Sequence, residues 1–220
     1  MTTPTRQQAT RQLLHAAGIM PVVTVNSIKE AISIAEALYR GGLKAIEVTL
    51  RNDDAMASLR EIKKHVPQLV IGAGTVLTAA QAHEAVDAGA DFLVSPGTTP
   101  ALASAFAAMT IPIVPGAATP SEIIALMAHG FDAVKLFPAA SVGGVAMAKS
   151  LAGPFPNLVL CPTGGISEAD ASQYLALPNV ACVGGSWMVA AEWIRQGEFH
   201  LVEASAKRCR ALIDSVNTKT

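Results

Sequence analysis

One lysine lies where the sequence otherwise predicts a buried strand. The run "FDAVKLFPAA", residues 131–140, is apolar apart from Asp132 and Lys135. A buried ammonium group is costly unless it is paired or loses its proton. A neutral lysine amine attacks a ketone or aldehyde carbonyl and, after loss of water, forms an iminium ion that makes cleavage of a nearby C–C bond feasible without a metal. Lys135 is therefore predicted to be a Schiff-base nucleophile.

A carboxylate and a guanidinium are predicted to point into the same interior. In "AIEVTLR", Glu47, Thr49 and Arg51 alternate with apolar residues and so share one face of a strand. Lys135 and Phe137 share a face of their own strand in the same way. Glu47 is the expected general acid/base. The guanidinium of Arg51 is suited to bidentate binding of a substrate carboxylate.

Further polar residues and glycine pairs follow other predicted strands. Thr75 closes "GAGT", Pro96 follows "FLVS", and Thr163 closes "LCPT". The loops "TGG" (163–165) and "GGS" (184–186) follow the seventh and eighth predicted strands. Glycine lets backbone N–H groups approach a phosphate closely, and many barrels bind phosphate at these two loops. The pattern predicts a phosphate site there, with Phe137 and Pro96 as an apolar wall.

The elements that would position these residues repeat along the chain. Eight short apolar runs bounded by Gly and Pro begin 19 to 25 residues apart, the size of one strand–loop–helix–loop unit. Eight such units predict a single (β/α)8 barrel, with residues 1–17 as an extra N-terminal helix, 18–190 as the barrel and 191–220 as a C-terminal helical segment. A doubly wound open sheet is the alternative, but no G-x-G-x-x-G follows the first run. Four predicted helices open with a capping box: Ser27 with Glu30, Thr78 with Gln81, Thr119 with Glu122, and Ser167 with Asp170.

Composition excludes several classes of partner. A net charge of −1 and an aromatic content of 5% argue against binding nucleic acid or an anionic membrane surface. The three cysteines are unclustered, which predicts neither disulfides nor a zinc site, and the five histidines fall in helix-like or terminal segments, so no metal is expected. Cys161 and Cys182 are expected to be small buried hydrophobic residues. No signal peptide or membrane span is recognised, so a cytoplasmic protein is expected.

Three alternatives remain open from the residues alone. Glu47 and Lys135 could form a structural ion pair in the core. A sugar-phosphate isomerase or epimerase would keep the glycine loops and use Glu47 as its base without needing the lysine as nucleophile. A barrel that only senses a sugar phosphate would have no reason to direct an amine and a carboxylate at one point.

The motifs together resemble one family over nearly the whole chain. The runs "EVTLR", "GAGTV", "KLFPA", "CPTGG" and "GGSWM" are similar to those of the class I aldolases of the KDPG/KHG family, named for 2-keto-3-deoxy-6-phosphogluconate (KDPG). The resemblance implies that Lys135 forms the Schiff base, that Glu47 is the acid/base, and that Arg51 and Thr75 contact the pyruvyl carboxylate. It also implies a pocket lined by Pro96, Phe137 and Thr163, a phosphate site formed by Gly164, Gly165 and Ser186, and substrate binding by Gly185.

The implied reaction is reversible cleavage of KDPG to pyruvate and glyceraldehyde 3-phosphate in the Entner–Doudoroff pathway. The resemblance implies no cofactor and a homotrimer. The resemblance also allows unphosphorylated 4-hydroxy-2-oxoglutarate (KHG), cleaved to pyruvate and glyoxylate, as a second substrate, and specificity for the phosphogalactonate analogue is an alternative. Ala140 is a departure, because the family often has an acidic residue after "FPA", and we expect it to affect loop packing or substrate range.

Overall fold

The structure is a computed structural model that describes residues 4–217. The outermost residues of the predicted terminal segments, 1–3 and 218–220, lie outside the described residues. Within 4–217, no helix combines the length and the apolar character needed to cross a bilayer. The strands are β1 (Ile19–Val23), β2 (Ala45–Thr49), β3 (Val70–Gly74), β4 (Phe92–Val94), β5 (Ile113–Val114), β6 (Gly116–Ala117), β7 (Ala133–Leu136), β8 (Val159–Leu160) and β9 (Val183–Gly185).

Helices alternate with these strands along the chain. They begin and end at the N-caps and glycines that the sequence pattern indicates at several positions. A short 3-10 helix, Trp187–Val189, follows β9. The α-helices are α1 (Arg6–Ala17), α2 (Ile28–Arg40), α3 (Ala55–His65), α4 (Ala79–Asp87), α5 (Pro100–Ala107), α6 (Pro120–Ala128), α7 (Gly144–Leu151), α8 (Glu168–Leu175), α9 (Ala191–Gln196) and α10 (Phe199–Asn217).

The strands form a curved parallel sheet in a mixed α/β fold. One part has the order β5-β4-β3-β2-β1-β9 and the other the order β6-β7-β8. Every strand pairing is parallel. Each of the eight predicted runs contains a strand, but the fifth is divided into β5 and β6 at Pro115, which has no amide hydrogen to donate to a ladder. Isolated bridges pair Leu160 with Val180 and Thr163 with Gly184.

Two apolar clusters lie on opposite sides of the strands. Ile46 and Val48 belong to the larger cluster, which packs the strands against the helices, as the alternation in β2 predicts. Phe92 belongs to the second, inner cluster, together with Cys161 and Cys182. Both of these thiols are buried, as expected, and burial raises the pKa of Cys182 well above the ordinary value for cysteine.

Helix α1 covers the amino-terminal edge of the strands. Its Leu14 packs into the inner cluster. The Thr10 hydroxyl accepts a hydrogen bond at 3.2 Å from the backbone N–H of Ile113, the first residue of β5. Arg11 forms an ion pair with Asp132, just before β7, at 2.9 Å. Because α1 covers the amino-terminal edge, a ligand site is expected at the carboxyl-terminal edge, where active sites of α/β folds usually lie.

Local caps follow the sequence, with one systematic difference. All four predicted N-cap hydroxyls accept a hydrogen bond from the backbone N–H three residues further on. In two of the four boxes, however, the partner side chain accepts from the N–H of the residue before the N-cap instead of from the N-cap itself. The complete boxes are Thr119 with Glu122 and Ser167 with Asp170; the altered ones are Ser27 with Glu30 and Thr78 with Gln81.

Candidate active site

A buried lysine and a buried glutamate face each other across the interior of the fold. Lys135 of β7 donates from Nζ to Oε1 of Glu47 in β2 at 3.0 Å, and Oε2 lies 3.3 Å away. The two residues are only 4% and 3% exposed. Because β2 and β7 belong to different parts of the sheet, the contact crosses the interior. The inward orientation predicted for both side chains is therefore confirmed.

An aromatic ring lies next to this pair, and hydroxyl groups join the strand of Glu47 to its neighbour. The ring centroid of Phe137 lies 5.3 Å from Lys135 Nζ, close enough for a cation–π interaction. On the strand that carries Glu47, the Thr49 hydroxyl donates to the carbonyl of Val23 at 3.2 Å and lies 2.9 Å from the Thr24 hydroxyl. These contacts hold the ends of β1 and β2 together below the carboxyl-terminal edge.

Gly74 leaves the space that the Glu47 carboxylate occupies. It ends β3, the strand next to β2, and is the register partner of Thr49. A Cβ built on Gly74 would overlap both Oε1 and the carboxyl carbon of Glu47. The glycine is therefore required by a close approach and not by an unusual backbone angle.

We expect Gly74→Ala to lower kcat at least about tenfold, because displacing a reacting group by about 1 Å can cost two orders of magnitude. The methyl group would push Glu47 away from Lys135, and the buried carboxylate has little free space to move into. Gly97→Ala is the matched control, since a Cβ built on Gly97 meets nothing within 4 Å. Steady-state kinetics together with thermal unfolding of both variants checks this. An unchanged kcat in a folded Gly74→Ala protein would contradict the positioning argument.

Seven of the predicted site residues line one cavity of about 560 Å³. The cavity lies at the carboxyl-terminal ends of β1, β2, β7, β8 and β9. Phe137 both lines this cavity and lies against Lys135, so the buried pair is next to the cavity. The predicted residues in the lining are Arg51, Phe137, Thr163, Gly164, Gly165, Gly185 and Ser186.

Thr75 and Pro96, two other predicted site residues, are not part of this cavity lining. The backbone of Pro96 packs against Gly116, the register partner of Lys135. Thr75 follows Gly74 and has φ of 59°, a left-handed conformation that costs a β-branched residue on the order of 1–3 kcal/mol. Hydrogen bonds on both sides of Thr75 hold it there, from Leu50 N to Gly74 O at 2.8 Å and from the following residue's N–H to the β4 backbone at 3.1 Å.

The two glycine loops offer unused donors to the cavity. Gly164 and Gly165 have φ of 99° and 73°, values that favour glycine. Within residues 4–217, the backbone N–H groups of Gly164, Gly165 and Ser186 donate to no protein acceptor. Unpaired donors at a cavity wall can hold a phosphate or carboxylate. Ala140 packs under this loop: its N–H donates to Gly164 O at 3.0 Å, and a Cβ built on Gly165 would lie 2.7 Å from the Ala140 methyl.

Nine further lining residues were not predicted from the sequence, among them two polar residues after the first strand and two residues of α9. Thr24 and Asn26 follow β1, and Ile194 and Arg195 lie on α9. The polar residues in "VTVNS" directly after the first strand were a usable signal for the first two, because that strand ends at the same edge. No comparable signal marked Arg195, since α9 follows the last strand and its place depends on tertiary packing.

Comparison with known proteins shows the family of this chain. A sequence model described as "KDPG and KHG aldolase" matches residues 10–205. The chain belongs to the KDPG and KHG aldolase family. It is therefore an aldolase, that is, a carbon–carbon lyase.

Individual members of the KDPG and KHG aldolase family are similar over most of their length. The KHG/KDPG aldolase of Escherichia coli (strain K12) is 42% identical over 195 residues, covering 89% of this chain and 92% of the relative. A Legionella pneumophila KDPG aldolase crystal structure, with pyruvate captured as a covalent carbinolamine, superposes with a TM-score of 0.88 at 41% identity, covering 90% of this chain and 96% of that one. The Zymomonas mobilis ZM4 enzyme with 3-phosphoglycerate gives a TM-score of 0.88 at 39% identity, covering 94% and 97%.

Proposed function

We propose that this aldolase is a class I enzyme that cleaves KDPG reversibly to pyruvate and glyceraldehyde 3-phosphate. The observation that carries the proposal is the 3.0 Å contact between Lys135 and Glu47, buried beside a cavity with free anion donors. Family membership favours this reaction over isomerisation or epimerisation of a sugar phosphate. The same residues can cleave KHG to pyruvate and glyoxylate, because the bond broken is the same.

The pair is arranged for Schiff-base formation. The direct hydrogen bond lets Glu47 take a proton from the Lys135 ammonium, which leaves the amine free to attack the C2 carbonyl of KDPG. Proton transfer from Glu47 to the departing oxygen then releases water and leaves the iminium. Its positive charge lowers the cost of breaking the C3–C4 bond.

The second half of the reaction uses the same carboxylate. Glu47, directly or through a water molecule, accepts the C4 hydroxyl proton as C3–C4 breaks, and glyceraldehyde 3-phosphate leaves. The electrons of that bond remain as an enamine on the lysine. Glu47 protonates C3 of the enamine, and hydrolysis of the resulting imine releases pyruvate and regenerates Lys135.

The remaining site residues hold the two ends of the substrate. Arg51 and Thr75 bind the pyruvyl carboxylate, and Arg51 lines the cavity with no ion-pair partner within residues 4–217. The unpaired N–H groups of the glycine loops bind the phosphate. The phosphate-binding residues are Gly164, Gly165 and Ser186. Gly185 is a further substrate-binding residue, and Pro96, Phe137 and Thr163 form the pocket walls.

The architecture around the site is a closed (β/α)8 barrel with an N-terminal helix, formed by one domain over residues 1–220. The bridges between Leu160 and Val180 and between Thr163 and Gly184 support closure between β8 and β9, and Pro115 alone separates β5 from β6. Residues 1–17 are the N-terminal segment, 18–190 the barrel and 191–220 the C-terminal segment.

The protein acts as a cytoplasmic homotrimer. Three free buried cysteines suit a reducing compartment. Ile124 and Met127 share one face of α6 at 58% and 44% exposure, an apolar strip that a neighbouring subunit would cover. Sedimentation equilibrium giving the mass of one chain would contradict the trimer.

A coupled assay of pyruvate release tests the proposed function. Lactate dehydrogenase and NADH report pyruvate formed from KDPG, from the phosphogalactonate analogue and from KHG. We expect turnover of all three, with the highest kcat/KM for KDPG. If no pyruvate is released from any of them, the proposal is contradicted. A higher kcat/KM for the phosphogalactonate analogue would mean that this analogue, and not KDPG, is the preferred substrate.

A further inference from the structure

We propose that Arg195, on the helix after the last strand, is a substrate-specificity residue that binds the phosphate of phosphorylated substrates. This inference rests on the proposed function and extends the phosphate site beyond the two glycine loops. The starting observation is that the cavity lining contains two cationic side chains, Arg51 and Arg195, and no Asp or Glu. A lining with this charge is suited to an anionic ligand with more than one negative group.

Helix α9 places Arg195 on the cavity wall. Ala191, Ile194 and Arg195 are spaced i, i+3 and i+4, so they share one helix face, and all three line the cavity. Ile194 is half-buried and packs against the main apolar cluster, which fixes the helix face that turns inward. The helix face that carries Arg195 therefore has a fixed place at the cavity.

The guanidinium of Arg195 has no partner among residues 4–217. Within the described residues, no carboxylate lies within 4.0 Å of it, although arginines 11, 40, 208 and 210 all form ion pairs. Its helix neighbour Glu192 accepts a hydrogen bond from Gln196 instead, at 3.4 Å. Arg195 therefore keeps its five N–H donors available for a ligand.

The two arginines stand at different ends of the site. Arg51 follows β2, and α9 follows β9, with β1 between these strands in the sheet order. Adjacent strands lie about 4.8 Å apart, so the ends of β2 and β9 are separated by about 10 Å. KDPG carries its carboxylate on C1 and its phosphate on C6. One guanidinium is thus available for each anionic end, and Arg195 is on the side of Ser186 and the second glycine loop.

The consequence is a stronger preference for phosphorylated substrates than the glycine loops would give alone. Backbone N–H groups donate neutral hydrogen bonds to a phosphate. A guanidinium donates charge-assisted hydrogen bonds, which are stronger and require an anionic acceptor. Because Arg195 is exposed, solvent screens the interaction, and a moderate effect is expected. The residue should favour KDPG over KHG, since KHG has no phosphate.

The test compares two substrates in four proteins. We expect Arg195→Gln to lower kcat/KM for KDPG about tenfold, mainly through a higher KM, because the contact is the same in ground and transition states. With KHG the change should be less than twofold. Arg195→Lys should recover part of the lost KDPG activity. Arg60→Gln, which removes an exposed arginine on α3 that is not part of the cavity lining, is the matched control and should change neither substrate.

Each other outcome overturns the inference. Equal losses on KDPG and KHG would mean that Arg195 supports the fold or the common pyruvyl end, and no loss on either would mean that it does not bind substrate. A loss that Arg60→Gln reproduces would be a long-range charge effect. Failure of the proposed function is distinguishable, because the unmodified protein would then release pyruvate from neither substrate.

Discussion

Lys135→Met should reduce kcat for KDPG cleavage by about 10⁴-fold or more, since removing the residue that forms the covalent intermediate typically costs several orders of magnitude. Methionine keeps the length and most of the volume of the side chain but has no amine. Borohydride added with pyruvate should reduce the imine of the unmodified protein to a stable secondary amine. The variant should show no such adduct by intact-mass spectrometry.

The structural alternative predicts a different pattern for the same variant. If Lys135 and Glu47 were only a buried ion pair, removing one partner would destabilise the fold by about 3–5 kcal/mol while leaving activity in the folded fraction. Lys135→Arg separates the two cases, because it keeps a cation opposite Glu47 but supplies no nucleophilic amine. We expect Lys135→Arg to be more stable than Lys135→Met in urea unfolding and equally inactive.

Peptide mapping of the trapped adduct identifies the nucleophile in the unmodified protein, so the result does not depend on whether a variant folds. In the unmodified protein, the added mass should lie on the peptide that contains Lys135. Lys44, at the entry to β2, and Lys149, on α7, are exposed lysines that serve as internal controls. An adduct on either of them, or none at all, would contradict the proposed Schiff base.

The inward direction of the central pair was predictable because strand alternation is a local property. In β2 and β7, neighbouring residues point to opposite faces of the sheet. The apolar residues that flank Glu47 and Lys135 pack against the helices, so the carboxylate and the amine both point into the interior. The glycine loops were also predictable from local sequence, since paired glycines at or shortly after the end of a strand can leave backbone donors unpaired. The 3.0 Å distance between Lys135 and Glu47 was not predictable, because it depends on how strands 88 positions apart in sequence come together.

The parts that the sequence could not supply depend on packing between distant elements. Arg195 reaches the cavity because Ile194 anchors α9 on the main core, and no local pattern shows that contact. The need for glycine at position 74 likewise arises from a side chain on the neighbouring strand. The break between β5 and β6 is different in kind, because the lack of an amide hydrogen on Pro115 is a local property that the sequence does show.

Glu47→Gln should lower kcat for KDPG by about 10²–10⁴-fold, the usual range for loss of a general acid/base. Glutamine is nearly the same size, and its amide oxygen can still accept the hydrogen bond from Lys135, so the cavity should keep its shape. Glu36→Gln, which alters an exposed carboxylate on α2, is the matched control and should leave kcat unchanged. Wild-type kcat in Glu47→Gln would contradict the assignment of the proton transfers to this residue.

Exchange of the pyruvate methyl protons with D₂O isolates the step that Glu47 performs. Pyruvate bound to Lys135 as an iminium loses a C3 proton to form the enamine, and reprotonation from the same group introduces deuterium, which NMR detects without any aldehyde or phosphate. Glu47→Gln should still form the borohydride-trapped adduct on prolonged incubation yet exchange at least about 100-fold more slowly. Lys135→Met should lose both signals, and Arg195→Gln should retain both, because pyruvate carries no phosphate. Rapid exchange in Glu47→Gln would mean that another group or a water molecule moves the proton. The role of Glu47 would then be to orient the amine of Lys135.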